Sequence, residues 1–65
     1  MLKSKVKPAM TDASVTMRAL VAKTGLSMQT VNRARGPMIV RCTLETLATI
    51  AAALGVKIKD LFDED

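Results

Sequence analysis

Histidine, tryptophan and tyrosine are absent from this sequence, which has only one cysteine and one phenylalanine. A single cysteine cannot form an internal disulfide, and without histidine the usual ligands of a zinc site are missing, so we expect no metal and no cofactor. There is also no nucleophile beside a base and no glycine-rich phosphate loop, which predicts that the chain is not an enzyme. The scarcity of aromatic rings argues against a protein that stacks the bases of single-stranded DNA or of RNA.

Long hydrophobic runs are missing as well. No apolar stretch approaches the length of a membrane span, and no signal-peptide pattern opens the sequence. Together with the lone cysteine, this favours a protein of the reducing cytoplasm that does not act at a membrane. Nothing in the composition implies a small-molecule ligand.

The residues that are present favour a small helical domain. The chain has 65 residues, which we interpret as one domain spanning residues 1–65. Its apolar residues make up 49% of the chain and are mostly Ala, Leu, Val and Met, a composition typical of a helix bundle rather than of a β-sandwich. A domain of this length buries only about 60% of its unfolded surface, so a second subunit is one way to complete its core.

The charges are unevenly distributed along the chain, whose net charge is +4. Residues 1–41 contain eight Lys or Arg residues and one acid, Asp12, whereas residues 42–65 contain two lysines and five acids. This separation indicates that one face meets a polyanion and another faces away from it. The alternative is that the charges only keep a small protein in solution.

Two short helices joined by a glycine turn are predicted in the middle of the chain. Thr16 is a good N-cap for a helix over residues 17–24, and Gly25 is a good terminator for it. Ser27 is a second N-cap, for a helix over residues 28–35 that ends at the following "GP" dipeptide. This arrangement is the pattern of a helix-turn-helix.

Further helices are expected on both sides, so that the fold class is all-α, a compact bundle of about five short helices. Thr43 caps a longer helix, "LETLATIAAAL", in which one apolar stripe faces the core: Leu44, Leu47, Ile50, Ala51 and Leu54. After Gly55, a short final helix is expected to close the core with Ile58, Leu61 and Phe62. Before the longer helix, the segment "MIVRC" is expected to be an extended connection.

The first ten residues leave three alternatives open. They fit a strand, a mobile basic arm, or a first helix with Ser4 as its N-cap and Pro8 in its first turn. The recurrence of apolar residues every four positions favours the helix. The three lysines of this segment are either a solvated face or a phosphate-binding arm.

The helix predicted over residues 28–35 has one face of unusual composition. Because an α-helix turns by about 100° per residue, four side chains fall within an arc of about 140°, while Val31 and Ala34 lie opposite and face the core. Arginine pairs with guanine, asparagine or glutamine with adenine, and apolar groups contact the thymine methyl, so this arc is suited to contacting base edges in a major groove. The predicted base-reading residues are Met28, Gln29, Asn32 and Arg33.

Two stretches, "MRALVAKTGLSMQTVNRARG" and "TLETLATIAAALGVKIKDLF", resemble the lambda-repressor-like helix-turn-helix family, in its Cro and phage-repressor branch. The resemblance covers almost the whole chain and implies a sequence-specific regulator of transcription, a repressor in a bacterial or phage-infected cell, that binds double-stranded operator DNA. It assigns Gln29 and Arg33 to base-reading positions, and Met17 and residues 27–29 to the groove edge and the phosphates. Together with the basic residues, the predicted phosphate contacts are Lys5, Lys7, Thr16, Met17, Arg18, Ser27, Arg35 and Arg41.

Simpler roles compete with several of these assignments. Capping alone explains Thr16 and Ser27, Asn32 can bond its own backbone, and Met28 can be an idle surface residue. The sequence also departs from the family pattern: Val21 stands where alanine is usual, Thr24 where an apolar residue is usual, and Arg35 where an acid is usual. The cysteine, Cys42, is expected to be a small buried hydrophobe.

One recognition helix contacts only a few base pairs, so we expect a weak homodimer that DNA strengthens. The predicted dimer contacts are Met38, Ile39, Val40, Val56 and Ile58. Burial of residues 38–40 under the fourth helix is the alternative. A different class of function also fits the sequence: a small antitoxin-like module that binds a partner protein, with or without DNA. The polar arc on the helix over residues 28–35 favours DNA.

Overall fold

The computed structural model describes residues 2–64, which form four α-helices, two 3-10 segments and a two-stranded antiparallel sheet. In chain order the elements are β1 (Leu2–Ser4), α1 (Val6–Asp12), α2 (Met17–Thr24), α3 (Met28–Ala34), a first 3-10 segment (Pro37–Arg41), α4 (Leu44–Leu54), a second 3-10 segment (Ile58–Leu61) and β2 (Phe62–Glu64). The fold is therefore mostly helical, as predicted, with four helices instead of the expected five. No helix in residues 2–64 is long and apolar enough to cross a membrane.

The three central helices begin where the capping residues predict, and two of them also end where predicted. The hydroxyls of Thr16, Ser27 and Thr43 each accept a hydrogen bond of 3.1 Å from the backbone N–H three residues further on. At the other ends, Gly25 and Gly55 both have φ of +73°, a left-handed conformation that glycine adopts without steric cost. Local chemistry thus sets the bounds of α2 and α4, and α3 ends one residue earlier than predicted.

The core lies between the helices and is sealed by the two 3-10 segments. Its most completely buried large side chains come from six different elements: Val6, Leu20, Val31, Ile39, Ile50 and Leu61. On α4, the predicted stripe is buried except at its first member. Leu44 is 69% exposed, because it occupies the first turn of α4, where no other element covers it. The prediction that Leu44 faces the core was therefore wrong.

The N-terminal segment combines two of its predicted alternatives, a strand followed by a helix. Pro8 lies in the first turn of α1, where a missing N–H is least costly, but the N-cap is Lys5 and not Ser4. The Ser4 hydroxyl instead accepts from the Val6 N–H at 3.3 Å and donates to the carbonyl of Ala34 at the end of α3. Residues 2–4 are therefore a paired strand and not a mobile arm.

The C-terminal segment is where the expected fifth helix does not form. Residues 58–61 make a single 3-10 turn, closed where the Asp60 carboxylate accepts the Lys57 N–H at 3.1 Å. The chain then extends as β2, and its register with β1 pairs Leu2 with Glu64 and Ser4 with Phe62. A helix of one or two turns has little to offset its nucleation cost, whereas pairing with β1 gives residues 62–64 hydrogen-bond partners.

The connection between α3 and α4 is also folded rather than extended. Pro37 starts a 3-10 segment that runs to Arg41 and turns the side chain of Ile39 into the core, where it is 1% exposed. Its neighbours Met38 and Val40 point outward, with exposed fractions of 44% and 53%. An extended connection was expected there, but the proline at the first helical position favours a helical turn.

Candidate nucleic-acid interface

The helix-turn-helix is built by α2, α3 and the three residues between them. The Gly25 N–H donates to the carbonyl of Val21, and the Thr24 hydroxyl donates to the carbonyl of Leu20 at 2.7 Å. The same hydroxyl accepts the N–H of Leu26 at 3.2 Å. Thr24 therefore ties the end of α2 to the turn, a role that its position before the terminating glycine did not reveal.

The two faces of α3 are divided as the helical period predicts. Val31 and Ala34 have no exposed surface and pack in the core beside Leu20. The opposite face is open to solvent along the helix. Its exposed side chains are those of Met28, Gln29, Asn32 and Arg33. The expected orientation of α3 is confirmed, and this outer face has hydrogen-bond donors and acceptors but no acid.

The start of α2, the other helix of the helix-turn-helix, has side chains that solvent can reach. Thr16 and Arg18 are exposed, and Met17 is half-buried. The Thr16 side chain satisfies one backbone N–H, and the first turn of any helix leaves others without an intrahelical partner. Such N–H groups, with the helix dipole, attract an oxyanion. Capping and phosphate binding are compatible at Thr16, as they are at the exposed Ser27.

The basic residues predicted to contact phosphates fall into two groups in the structure. Lys7 lines a groove together with Arg33 and Arg35, and Arg41 is exposed on the first 3-10 segment. Lys5 lies elsewhere: its Nζ is 3.8 Å from Asp63 Oδ1. It also lines a separate groove beside two acids, Asp12 and Asp60. Lys5 is therefore surrounded by acidic side chains, unlike the basic residues that line the groove with Arg33.

Arg35 has an unusual environment for a basic residue. It follows the last turn of α3 and is half-buried, and its Nη1 donates to the thioether sulfur of Met17. Its Nε is buried and has no hydrogen-bond partner within the part of the chain that the structure describes. The side chain therefore bridges α3 and α2 through a neutral, weak acceptor. Arg35 was expected to depart from the family pattern, but its contact with Met17 joins two helices and has no local signal in the sequence.

The positive charge of Arg33 affects the pKa of the Cys42 thiol. Burial raises the pKa of the Cys42 thiol, and the positive charge of Arg33 acts in the opposite direction. Cys42 packs against the core but is only half-buried, whereas a buried residue was expected. Arg33 also lines a groove with Pro37 and Met38, so it lies where the outer face of α3 meets the first 3-10 segment.

The segment after α3 carries most of the exposed apolar surface. Three of the four large hydrophobic side chains that are exposed in residues 2–64 lie between positions 38 and 44, namely Met38, Val40 and Leu44. The side chain of Ile39 is buried in the core, which favours the alternative of core packing for this residue over contact with a second copy. The other predicted dimer contacts, Val56 and Ile58, are half-buried against the core.

The described residues 2–64 contain no group of three or more His, Cys, Asp or Glu side chains suited to hold a metal ion. A family model for the Cro/C1-type helix-turn-helix DNA-binding domain matches residues 5–64. No curated protein and no solved structure matches the chain significantly.

Proposed function

The chain belongs to the family of Cro/C1-type helix-turn-helix DNA-binding domains, and from this premise we propose that it is a sequence-specific transcriptional repressor of the phage-repressor type. Domains of this family bind DNA and are generally not enzymes. The proposal goes further in assigning the residues that contact bases, the residues that contact phosphates and the surface that pairs two copies on an operator.

The outer face of α3 is the observation that carries the proposal. Gln29, Asn32 and Arg33 are exposed, and no acid interrupts them. A helix that only keeps a protein soluble usually mixes glutamate and lysine on this face. In a major groove, the arginine pairs with guanine, the two amides are suited to adenine, and Met28 contacts a thymine methyl.

Phosphate contacts on either side of α3 would hold it in the groove. We assign them to Thr16, Met17 and Arg18 at the start of α2, to Ser27 before α3, and to Arg41 after it. Thr16, Arg18, Ser27 and Arg41 are exposed, and the first turn of α2 adds backbone N–H groups. We leave Lys5 out of this set because it lies among Asp12, Asp60 and Asp63.

The salt dependence of binding to a duplex tests this assignment. On a duplex with one half-site, Arg18 and Arg41 neutralise about two phosphates, so log affinity falls against log salt concentration with a slope of about −2. Arg18→Ala and Arg41→Ala should each make the slope shallower by about one unit. Lys5→Ala is the matched control and should leave it unchanged. A wild-type affinity that does not change with salt would contradict DNA binding through these residues.

We further propose that two copies bind one operator, with half-sites about 34 Å apart, and that they meet through the exposed apolar patch of Met38, Val40 and Leu44. The exposure of all three supports this. Val40→Asp should abolish cooperative binding, while Ala48→Asp, at an exposed position of α4, should not. Sedimentation and footprinting with each variant test the proposal. One monomer on a single half-site at saturation would refute the dimer.

A further inference from the structure

The last carbonyls of α3 are satisfied differently from those of α2 and α4. Each of those two helices is followed by a left-handed glycine, which closes the last turn through hydrogen bonds to carbonyls of the same helix. α3 is followed instead by Arg35 in a right-handed conformation, with φ of −79° and ψ of −11°. The N–H groups of Arg35 and Gly36 donate to carbonyls of residues 31–33. Among residues 2–64, no backbone N–H donates to the carbonyl of Ala34.

The partner of this carbonyl comes from the other end of the chain. The Ser4 hydroxyl donates to the Ala34 carbonyl across a separation of 30 residues. Ala34 has no exposed surface, so solvent water does not satisfy its carbonyl in the folded chain. A buried carbonyl without a partner is costly, which makes this hydroxyl part of the end of α3.

Ser4 is itself held in place by its neighbours. Its Oγ accepts the Val6 N–H at 3.3 Å, and in the sheet it pairs with Phe62. The next N–H, that of Lys5, donates to the carbonyl of Leu61 at 2.7 Å, and Leu61 has no exposed surface. The end of α3 is thus connected through one hydroxyl to the paired ends of the chain, and through them to the core.

We propose that Ser4 is a positioning residue for DNA recognition, because its hydroxyl fixes the last turn of α3, which carries the exposed side chains of Asn32 and Arg33. The consequence for DNA rests on the proposed function, whereas the consequence for the helix end does not. A bidentate contact discriminates a base only when both of its hydrogen bonds are aligned. Loosening this turn therefore weakens base recognition and leaves contacts to phosphates unchanged.

Amide hydrogen exchange of the DNA-free protein tests the effect on the helix end. In Ser4→Ala, the N–H groups of Arg35 and Gly36 should exchange about tenfold faster, as expected when a buried carbonyl loses its partner. The Gly25 N–H, which donates to the carbonyl of Val21 at the end of α2, is the internal reference and should be affected much less.

Two further variants control for the substitution itself. Ser4→Thr keeps a hydroxyl at this position and should restore the wild-type exchange rates. Thr49→Val removes a hydroxyl that donates to the carbonyl of Glu45 within α4, at 3.0 Å, and should leave the exchange of α3 unchanged.

Binding to a selected operator and to an unrelated duplex, at one salt concentration, tests the effect on recognition. Ser4→Ala should bind the operator about tenfold more weakly, as expected for one misaligned bidentate contact, and the unrelated duplex as tightly as the wild type does. Ser4→Thr should recover the operator affinity. A merely destabilised protein would lose affinity for both duplexes by the same factor, since only its folded fraction falls.

Equal acceleration of exchange at the ends of α2 and α3, or an unchanged ratio of operator to unrelated-duplex affinity in Ser4→Ala, would overturn the inference. If Ser4→Ala does not fold, Ser4→Cys, whose thiol is a weak donor, allows both measurements. Full sequence preference in Ser4→Ala leaves the proposed function intact and refutes the role of Ser4. A wild type without sequence preference, together with faster exchange at the end of α3 in the variant, refutes the proposed function and supports the link between Ser4 and α3.

Discussion

Replacing Ile39 by alanine decides between the two roles that the sequence leaves open for residues 38–40, core packing or contact with a second copy. The Ile39 side chain is 1% exposed and belongs to the core cluster. Truncating such a residue to alanine costs about 2–5 kcal/mol, since apolar burial is lost and a cavity is left. A domain of this size is stable by only about 3–10 kcal/mol, so the loss is a large part of the total.

The melting temperature shows this loss directly. For a domain of this length, each kcal/mol lowers it by about 4–8 °C, so Ile39→Ala should lower it by at least about 8 °C. Val40→Ala is the matched control in the same 3-10 segment, because Val40 is 53% exposed. Its effect should stay within about 0.5 kcal/mol.

Thermal unfolding followed by circular dichroism, at two protein concentrations, is the appropriate assay. Comparing the concentrations separates loss of core packing from loss of a dimer, whose contribution depends on concentration. Equal melting temperatures for Ile39→Ala and Val40→Ala would refute the reasoning, because they would mean that the Ile39 side chain does not pack in the core.

Three further predictions follow from the site. Arg33→Ala should weaken binding to a selected operator by about 1–3 kcal/mol and relax the preference at one base pair, whereas equal weakening on all duplexes would make Arg33 a phosphate contact. Burial raises the pKa of the Cys42 thiol, and the charge of Arg33 opposes this rise only in part. Alkylation of Cys42 by iodoacetamide should therefore require a higher pH in the native protein than in the urea-unfolded protein. Arg33→Ala should move the native profile to still higher pH, and coincident profiles for native and unfolded chains would contradict the burial. Ser27→Ala removes the hydroxyl that accepts the Thr30 N–H and should lower the free energy of unfolding by about 1 kcal/mol in chemical denaturation, while an unchanged value would show that the cap is not needed.

Sequence was sufficient where structure depends on neighbouring residues in the chain. The caps at Thr16, Ser27 and Thr43 act within one helical turn, so the starts of α2, α3 and α4 were predictable, and the glycines after α2 and α4 made their ends predictable too. The orientation of α3 followed from its period, because Val31 and Ala34 are on one side of the wheel. Each of these features is set within a few residues of sequence.

Sequence was insufficient where partners are far apart in the chain. Residue 2 pairs with residue 64, and no local pattern predicts that both ends form strands. Leu44 is exposed although it was expected in the core, and Ile39 is buried although contact with a second copy was predicted for it. A helical stripe does not show how far the neighbouring elements extend to cover it. The contact of Arg35 with Met17 joins two helices, so only the tertiary structure brings these residues together.

Selection of binding sites from random duplex DNA tests most directly the central claim, that the outer face of α3 recognises a DNA sequence. The wild-type protein should enrich one motif, with two related half-sites about ten base pairs apart. Gln29→Ala, which changes an exposed residue of this face, should alter the preference at one position of each half-site and leave the others unchanged. The absence of an enriched motif, or the same motif for both proteins, would contradict the account.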